Sequence, residues 1–470
     1  MPSRPSETPV PLTARRPLLP VVLGAALLAA SATAAPAPAV AELRAVVTYD
    51  GALPSLPGLD VLHVLPSVGA LVVQGTPLEL AGLPRVAGVR GVAPDTEVRF
   101  TGGASTAPAV AAAAGLDAPA GHPGAGAGVR VAVVDTGVTD TAALNRASGR
   151  LVDAVDTSTT PNRGALVDGY GHGTFMASVI AGGPVDGGAP VGVAPGATVL
   201  VVRVAQADGT TRLSQVVRGL DWVARNAARV DVANLSLSHT RPAEAYGADP
   251  LTDAVEKVRD AGVTVVVSAG NDPDLVGDPG FTPRALTVGA ADLTTGTASV
   301  APFSGSAVVA GVQKPDVVAN GVGVLGILPP GSVIARENPD ARATATLWRG
   351  TGTSQAAAVT SGAAALLLAQ SPDATPAQVK AGLRSAASPL AGERDGAGLL
   401  RLAVPGDGAD EPSAGSDNGD PSGEAGFDAN SWSANSWSAN SWSANSWSAN
   451  SWSANSWSAN SWSAQWGAGR

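Results

Sequence analysis

"VRVAVVDTG", residues 129–137, is a nearly unbroken apolar run that stops at Asp135 and a Thr-Gly turn. A strand with no polar alternation has no solvent face, so both of its sides must be covered. The pattern returns in "TVLVVRV" (198–204), "VDVANLSLS" (230–238), "VTVVVSAGN" (263–271) and "RALTVGAAD" (284–292). Between and around these runs lie helical candidates, "GTFMASVIAG" (173–182), "LSQVVRGLDWVARNA" (213–227), "LTDAVEKVRDAG" (251–262) and "TPAQVKAGLRSAASPL" (375–390). Buried strands alternating with helices predict an α/β unit over about residues 129–404, with a mostly parallel sheet covered by helices on both faces. In such sheets functional groups gather beyond the carboxyl ends of the strands. Asp135, Ser236 and Asn271 each close one of the runs.

The flanking segments have different compositions. Arg15 and Arg16 precede an apolar stretch from Leu18 to about Ala30 and two Ala-x-Ala sites, at Ala32–Ala34 and Ala39–Ala41. Residues 1–41 therefore read as a secretory signal peptide, too short in its apolar core to span a bilayer comfortably. The Arg pair is compatible with twin-arginine export, but the following Pro17-Leu18-Leu19 fits that route poorly. Residues 42–100 hold short Val-rich runs and a helical candidate at Pro77–Leu83, a small α+β unit marginal on its own. The Gly/Ala/Pro-rich residues 101–128 read as an exposed linker open to cleavage. Residues 405–429 carry seven acidic and no basic side chains and read as a solvated linker.

From Asn430 to Ala464 the chain is seven copies of Asn-Ser-Trp-Ser-Ala. A period of five builds no continuous apolar stripe on a helix or a strand. Three readings fit this tail at residues 430–470: a disordered repeat, a tryptophan array that adheres to cell wall, polysaccharide or an export factor, or a pentapeptide solenoid.

Composition narrows the function. The formal charge is −10 and only Lys257, Lys314 and Lys380 are lysines, so no basic surface for nucleic acid is expected. With no cysteine, thiol catalysis, disulfides and thiolate metal sites are excluded. Only His63, His122, His172 and His239 can serve as an imidazole base. His172 stands in "DGYGHGTFMAS" at the start of a helix, whereas His63 and His122 read as solvated or structural, and His239 reads as an exposed loop residue rather than a specificity determinant. Ser354, in "RGTGTSQAAAVTSG" from Arg349, opens an Ala-rich helix and reads either as a cap or as a nucleophile.

Taken together, "VAVVDTGV", "GHGTFMASVIAG", "VANLSLS", "VVVSAGN", "KPDVVANG" and "GTSQAAAVTSG" resemble, in order, the motifs of the subtilisin-like serine peptidases. That resemblance implies a subtilisin-like fold with Ser354 as nucleophile, His172 as base, Asp135 as its orienting carboxylate and Asn271 as a side-chain oxyanion donor. It further implies that the substrate adds as a strand along Leu235, Ser236, Leu237 and Ser238, with Ser268, Ala269 and Gly270 lining the first pocket. Residues 42–100 resemble the family's inhibitory propeptide, with Pro54 and Pro57 interrupting the region of its first helix. The activity so implied is that of a secreted serine endopeptidase made as a zymogen and acting through an acyl-enzyme. Its expected partners are protein or peptide substrates and its own propeptide; a monomer is expected.

The chain departs from the family at several places. Gln355 stands where methionine is usual, and Ala358 and Val359 where proline and histidine follow. Phe175 and Ser178 alter the helix after His172, and Ser238 adds a side chain beside the substrate's path. Calcium is common in the family, but no Asp-rich loop has a spacing that assigns a site, so no metal residues are named. Three further readings stand beside the peptidase: an inactive pseudo-enzyme, a surface-binding protein working through its Trp repeats, and a maturation protease dedicated to one partner peptide.

Overall fold

Val131 and Val133 pack on one side of their strand and Ala132 and Val134 on the other, which is what a run without polar alternation requires. The computed structural model describes residues 42–116, 124–158, 164, 166–239, 249–309, 311–392 and 394–402. The proposed signal peptide, His122, the acidic linker and the Trp-repeat tail lie outside them.

The main sheet contains β7 (Arg130–Asp135), β8 (Leu151–Asp156), β9 (Thr198–Arg203), β11 (Val232–Leu235), β13 (Thr264–Ser268) and β14 (Leu286–Asp292) in the order β8-β9-β7-β11-β13-β14. It continues through parallel Val317–Asn320 and Leu399–Leu400, and ends on antiparallel Ala387–Ser388. All pairings from β8 to Leu399–Leu400 are parallel.

Helices cover both faces. On one lie α2 (His172–Ala181), α6 (Thr353–Gln370) and α7 (Pro376–Ser385), sharing a core with Val131, Val133, Val201, Val266 and Val288. On the other lie α3 (Leu213–Arg225) and α4 (Pro250–Asp260), packed against Ala132, Val134, Val202, Ala233 and Val267. The fold is the subtilisin-like α/β architecture.

Residues 42–94 build a four-stranded antiparallel sheet from β1 (Leu43–Tyr49), β2 (Asp60–Leu65), β3 (Ala70–Gly75) and β4 (Val89–Pro94), in the order β2-β3-β1-β4. A short helix, α1 (Pro77–Gly82), follows β3, with Thr76 and Glu79 forming a capping box. One face of β1 and β3 (Val46, Val72) joins the core of α3 and α4, while the other (Val47, Val73, with Leu83) closes a small core of its own. The large sheet's helices therefore complete the burial that so short a segment could not achieve alone.

Polar contacts fix how this unit docks. Arg90 pairs with Asp253 at 2.6 Å. Asp95 accepts from the Ser214 N–H and hydroxyl, each at 2.8 Å, and so caps α3 from outside its own segment.

The stretch expected to be an exposed linker differs from that expectation. Thr101 is buried, and β6 (Gly102–Ala104) pairs antiparallel with Leu347–Gly352. Val110 bonds to the Gly323 carbonyl, and Ala112 is buried in the main core. Small residues gave this segment the composition of a solvated linker, but they are also what a narrow cleft admits.

Candidate active site

Asp135 is the last residue of β7, and His172 is the first of α2. The His172 ring presents Nδ1 to both Asp135 oxygens, at 2.8 and 2.9 Å, and both side chains are buried. The Asp135 carboxylate is held by the Thr136 N–H at 2.7 Å. The start of α2 is organised by Asp168, a residue the sequence reading did not single out. It accepts from the Thr136 hydroxyl (2.8 Å), Gly171 N–H (2.7 Å), Thr174 N–H (2.8 Å) and Thr174 hydroxyl (2.8 Å). Burial pushes its carboxyl up, against these four donors.

Ser354 is the second residue of α6 and is fully buried. Its hydroxyl lies 3.0 Å from the Ser236 carbonyl oxygen and 2.9 Å from Thr101 Oγ1. His172 Nε2 has no hydrogen-bond partner among the described residues. Ser354 Cβ and His172 Nε2 nevertheless both border Gly102: each lies within 3.0 Å of the point where a Cβ on that glycine would sit. A rotation about χ1 of Ser354 is the motion that would turn its hydroxyl from the Ser236 carbonyl toward the imidazole.

Asn271, three residues past β13, donates Nδ2 to the Thr101 carbonyl oxygen at 2.8 Å. The Ser354 N–H donates to the same oxygen at 3.1 Å. Asn271 Oδ1 accepts from the Thr353 N–H and hydroxyl, each at 3.0 Å, which fixes the direction of the amide. Two N–H donors thus converge on one carbonyl oxygen at the N-terminus of a long helix, next to a serine hydroxyl. Such an arrangement can stabilise the oxyanion formed when a hydroxyl attacks that carbonyl.

The segment that brings Thr101 here is β5 (Glu97–Phe100). It lies between β10 (Thr211–Arg212) and β12 (Leu237–Ser238), antiparallel to both, with Phe100 opposite Leu237 and Arg99 opposite Ser238. The Thr101 N–H continues the ladder to the Ser236 carbonyl at 3.3 Å. Of the predicted substrate strand, Ser236, Leu237 and Ser238 make these contacts. Leu235 instead lies in β11, paired with Val267. Thr211–Arg212, the other wall of the slot, is too short and polar to have been read as a strand.

Thr101 Oγ1 donates to Ser268 Oγ at 2.6 Å. Ala269 is tied to the sheet through Val288, and the Gly270 N–H reaches the Thr353 hydroxyl at 3.2 Å. The Phe100 ring lies 4.9 Å from that of His172 and 6.3 Å from that of Tyr170. Burial, with Glu337, Asp135 and other carboxylates nearby, pushes the Tyr170 hydroxyl up to about 12.

Several departures from the family take physical form. Ser238 directs its hydroxyl into the space left by Gly277, not across the path of β5. Ser178 replaces a close helix approach with hydrogen bonds, donating to the Phe175 carbonyl at 2.7 Å and accepting from the Ile327 N–H at 2.8 Å. Phe175 fills the room beside Gly326 and Gly350. His239, read as a solvated loop residue, is buried, with Nε2 2.6 Å from the Thr96 hydroxyl. Among the described residues no group of three or more His, Asp or Glu side chains converges as a metal site.

The model of the Subtilase family matches residues 126–423. The chain belongs to the subtilase family of serine peptidases. Subtilisin BL of Lederbergia lenta is 34% identical over 278 residues, covering 58% of this chain and 90% of that protein. The serine protease AprX of Bacillus subtilis is 35% identical over 273 residues, 54% of this chain, and the match spans only 60% of AprX. The extracellular serine proteinase of a Thermus species is 37% identical over 278 residues, 58% of each chain. Among solved structures, fervidolysin from Fervidobacterium pennivorans superposes with a TM-score of 0.61 at 24% identity, over 77% of this chain and 60% of that one, a likeness of fold.

Proposed function

We propose that the protein is a secreted serine endopeptidase made as a zymogen, with Ser354 as nucleophile, His172 as base, Asp135 orienting the imidazole and Asn271 completing the oxyanion hole. The observation that carries this reading is the double donation to the Thr101 carbonyl, by the Ser354 N–H at 3.1 Å and Asn271 Nδ2 at 2.8 Å.

Residue types and contacts support each role. His172 takes the Ser354 proton on Nε2 as the hydroxyl turns toward it, and later returns it to the leaving amine. Asp135 holds Nδ1 protonated and stabilises the imidazolium. The two donors and the N-terminal end of α6 stabilise the negative oxygen of the tetrahedral intermediate. Substrate binds as an extended strand between β10 and β12, the slot that β5 fills in the precursor, so residues 42–101 block the enzyme by occupying its substrate path. Secretion accords with the N-terminal leader and with the relative named as an extracellular proteinase.

The test compares the precursor with Ser354→Ala. The variant should retain its full-length mass and hydrolyse no peptide, while the parent processes itself. A variant that processes like the parent would remove Ser354 from the mechanism.

A further inference from the structure

The geometry points to the Thr101–Gly102 bond as the one cut in maturation, and to selection by the same site for glycine on the amine side of the bond it cleaves. This deepens the peptidase reading and rests on it. The chain crosses the site as two strands joined by a bend at Thr101: β5 pairs on the acyl side, and β6 pairs with Leu347–Gly352 on the amine side, Gly102 opposite Gly352. The carbonyl held by the two N–H donors belongs to Thr101, so the bond in line for attack is the one to Gly102 nitrogen.

In that step Ser354 Oγ bonds to the Thr101 carbonyl carbon and its proton passes to His172. The C–N bond to Gly102 breaks as His172 delivers the proton to the departing nitrogen. Water then hydrolyses the ester, leaving a Thr101 carboxylate and Ser354 restored. Water is the only co-reactant.

Glycine at position 102 is demanded by space. Its φ is negative, so its backbone is open to any residue. A Cβ there, however, would lie 2.7 Å from Gln355 Oε1, 2.7 Å from Ser354 Cβ and 3.0 Å from His172 Nε2. Two of these atoms belong to side chains the reaction must hold in place. The third, Gln355, is buried, and its amide nitrogen lies against Gly350, where an added Cβ would come within 2.5 Å. Gly352, at φ 149°, closes the opposite side: a Cβ on it would collide with the Thr101 carbonyl oxygen. Of the three side chains that meet a Cβ at position 102, Gln355 is the one without a part in the proposed chemistry, which makes it the specificity residue.

The substrate class that follows is an extended peptide with a small hydroxyl residue before the cut and glycine after it. On the acyl side, Thr101 Oγ1 meets Ser268, and the Phe100 ring lies tilted against those of His172 and Tyr170.

The test joins N-terminal sequencing of the processed precursor with peptide kinetics on the mature enzyme. The mature chain should begin at Gly102. A peptide copying Val98–Ala104 should be cut at least about tenfold faster, by kcat/KM, than its twin with alanine in place of the first glycine, because the added methyl overpacks a filled space. In Gln355→Ala the ratio should fall to about threefold or less. Equal rates for the two peptides in the parent enzyme, or a primary cut that leaves Thr101–Gly102 intact, would overturn the inference while leaving a working peptidase. A protein that neither processes itself nor cleaves any peptide would instead defeat the peptidase reading itself.

Discussion

Asn271 donates its side-chain amide to the Thr101 carbonyl oxygen at 2.8 Å, and the bond spans 170 positions of sequence. The other end of the same amide accepts twice from Thr353, the residue before Ser354. The Asn271 amide and Ser354 are thus set against each other through Thr353, and a shift of either is felt by both.

Asn271→Ala should lower kcat by about 10²–10³-fold with little change in KM, the range already known for subtilisin when its oxyanion donor is removed. Thr353→Val keeps the N–H bond to Asn271 and loses the hydroxyl bond. A milder loss is expected, about tenfold in kcat. Steady-state kinetics on both variants check this. A Thr353 effect confined to KM would argue against a role in aiming the amide.

Asp168→Asn should both destabilise the protein and slow the reaction. One carboxylate oxygen accepts from Thr136 and Gly171 and the other from the Thr174 N–H and hydroxyl, so an amide must set N–H donors against N–H or O–H donors on one side. A loss of about 1–3 kcal/mol is expected. Denaturant unfolding of the Ser354→Ala background, which prevents self-digestion, measures it.

Asp95→Ala should weaken retention of the cleaved propeptide. The Asp95 carboxylate supplies the side-chain acceptor for the N-terminus of α3 and, on the proposed maturation, leaves with residues 42–101. Loss of two hydrogen bonds to an ionised group predicts about 10- to 100-fold faster dissociation. The rate at which peptidase activity appears after the first cut reports it.

Acid should unfold the peptidase unit through Asp316. This carboxylate is buried between Lys314 at 2.8 Å and Lys380 at 3.1 Å. Burial raises its pKa, but the two ammonium groups outweigh that and hold it down to about 2. A depressed carboxyl contributes stability that is complete above its unfolded value, near 4, and is lost as pH falls toward 2; on the order of 2 kcal/mol is at stake. Burial also pulls Lys314 down to about 7, partly offset by Asp316. For that group the unfolded chain holds more protons above pH 7, so its contribution rises with pH. Unfolding free energies of Ser354→Ala at pH 7, 4 and 2.5 should fall most steeply over the last interval, and Asp316→Ala should flatten that fall.

The sheet was legible because buried parallel strands are unbroken apolar runs, and the runs closed by Asp135 and Asn271 became β7 and β13, the latter ending at Ser268. Asp135, His172, Asn271 and Ser354 stood out because each sits where such a run stops or a helix begins. Thr353, Asp168 and Asp95 did not, since a lone polar residue carries no periodic signal and acquires its partners only in the folded chain. Asp95 meets Ser214 119 positions away. The misreading of residues 101–116 has a related cause: glycine and alanine serve a solvated linker and a crowded cleft equally well. His239 reads as an exposed loop residue, while the fold buries it against Thr96 of the preceding unit.

The most direct test of the central claim is fluorophosphonate labelling of the processed protein followed by peptide mapping. The account predicts one label, on Ser354, absent from the His172→Ala variant and from precursor whose site is still filled by β5. Label on another serine, or equal labelling of Ser354→Ala, would contradict it.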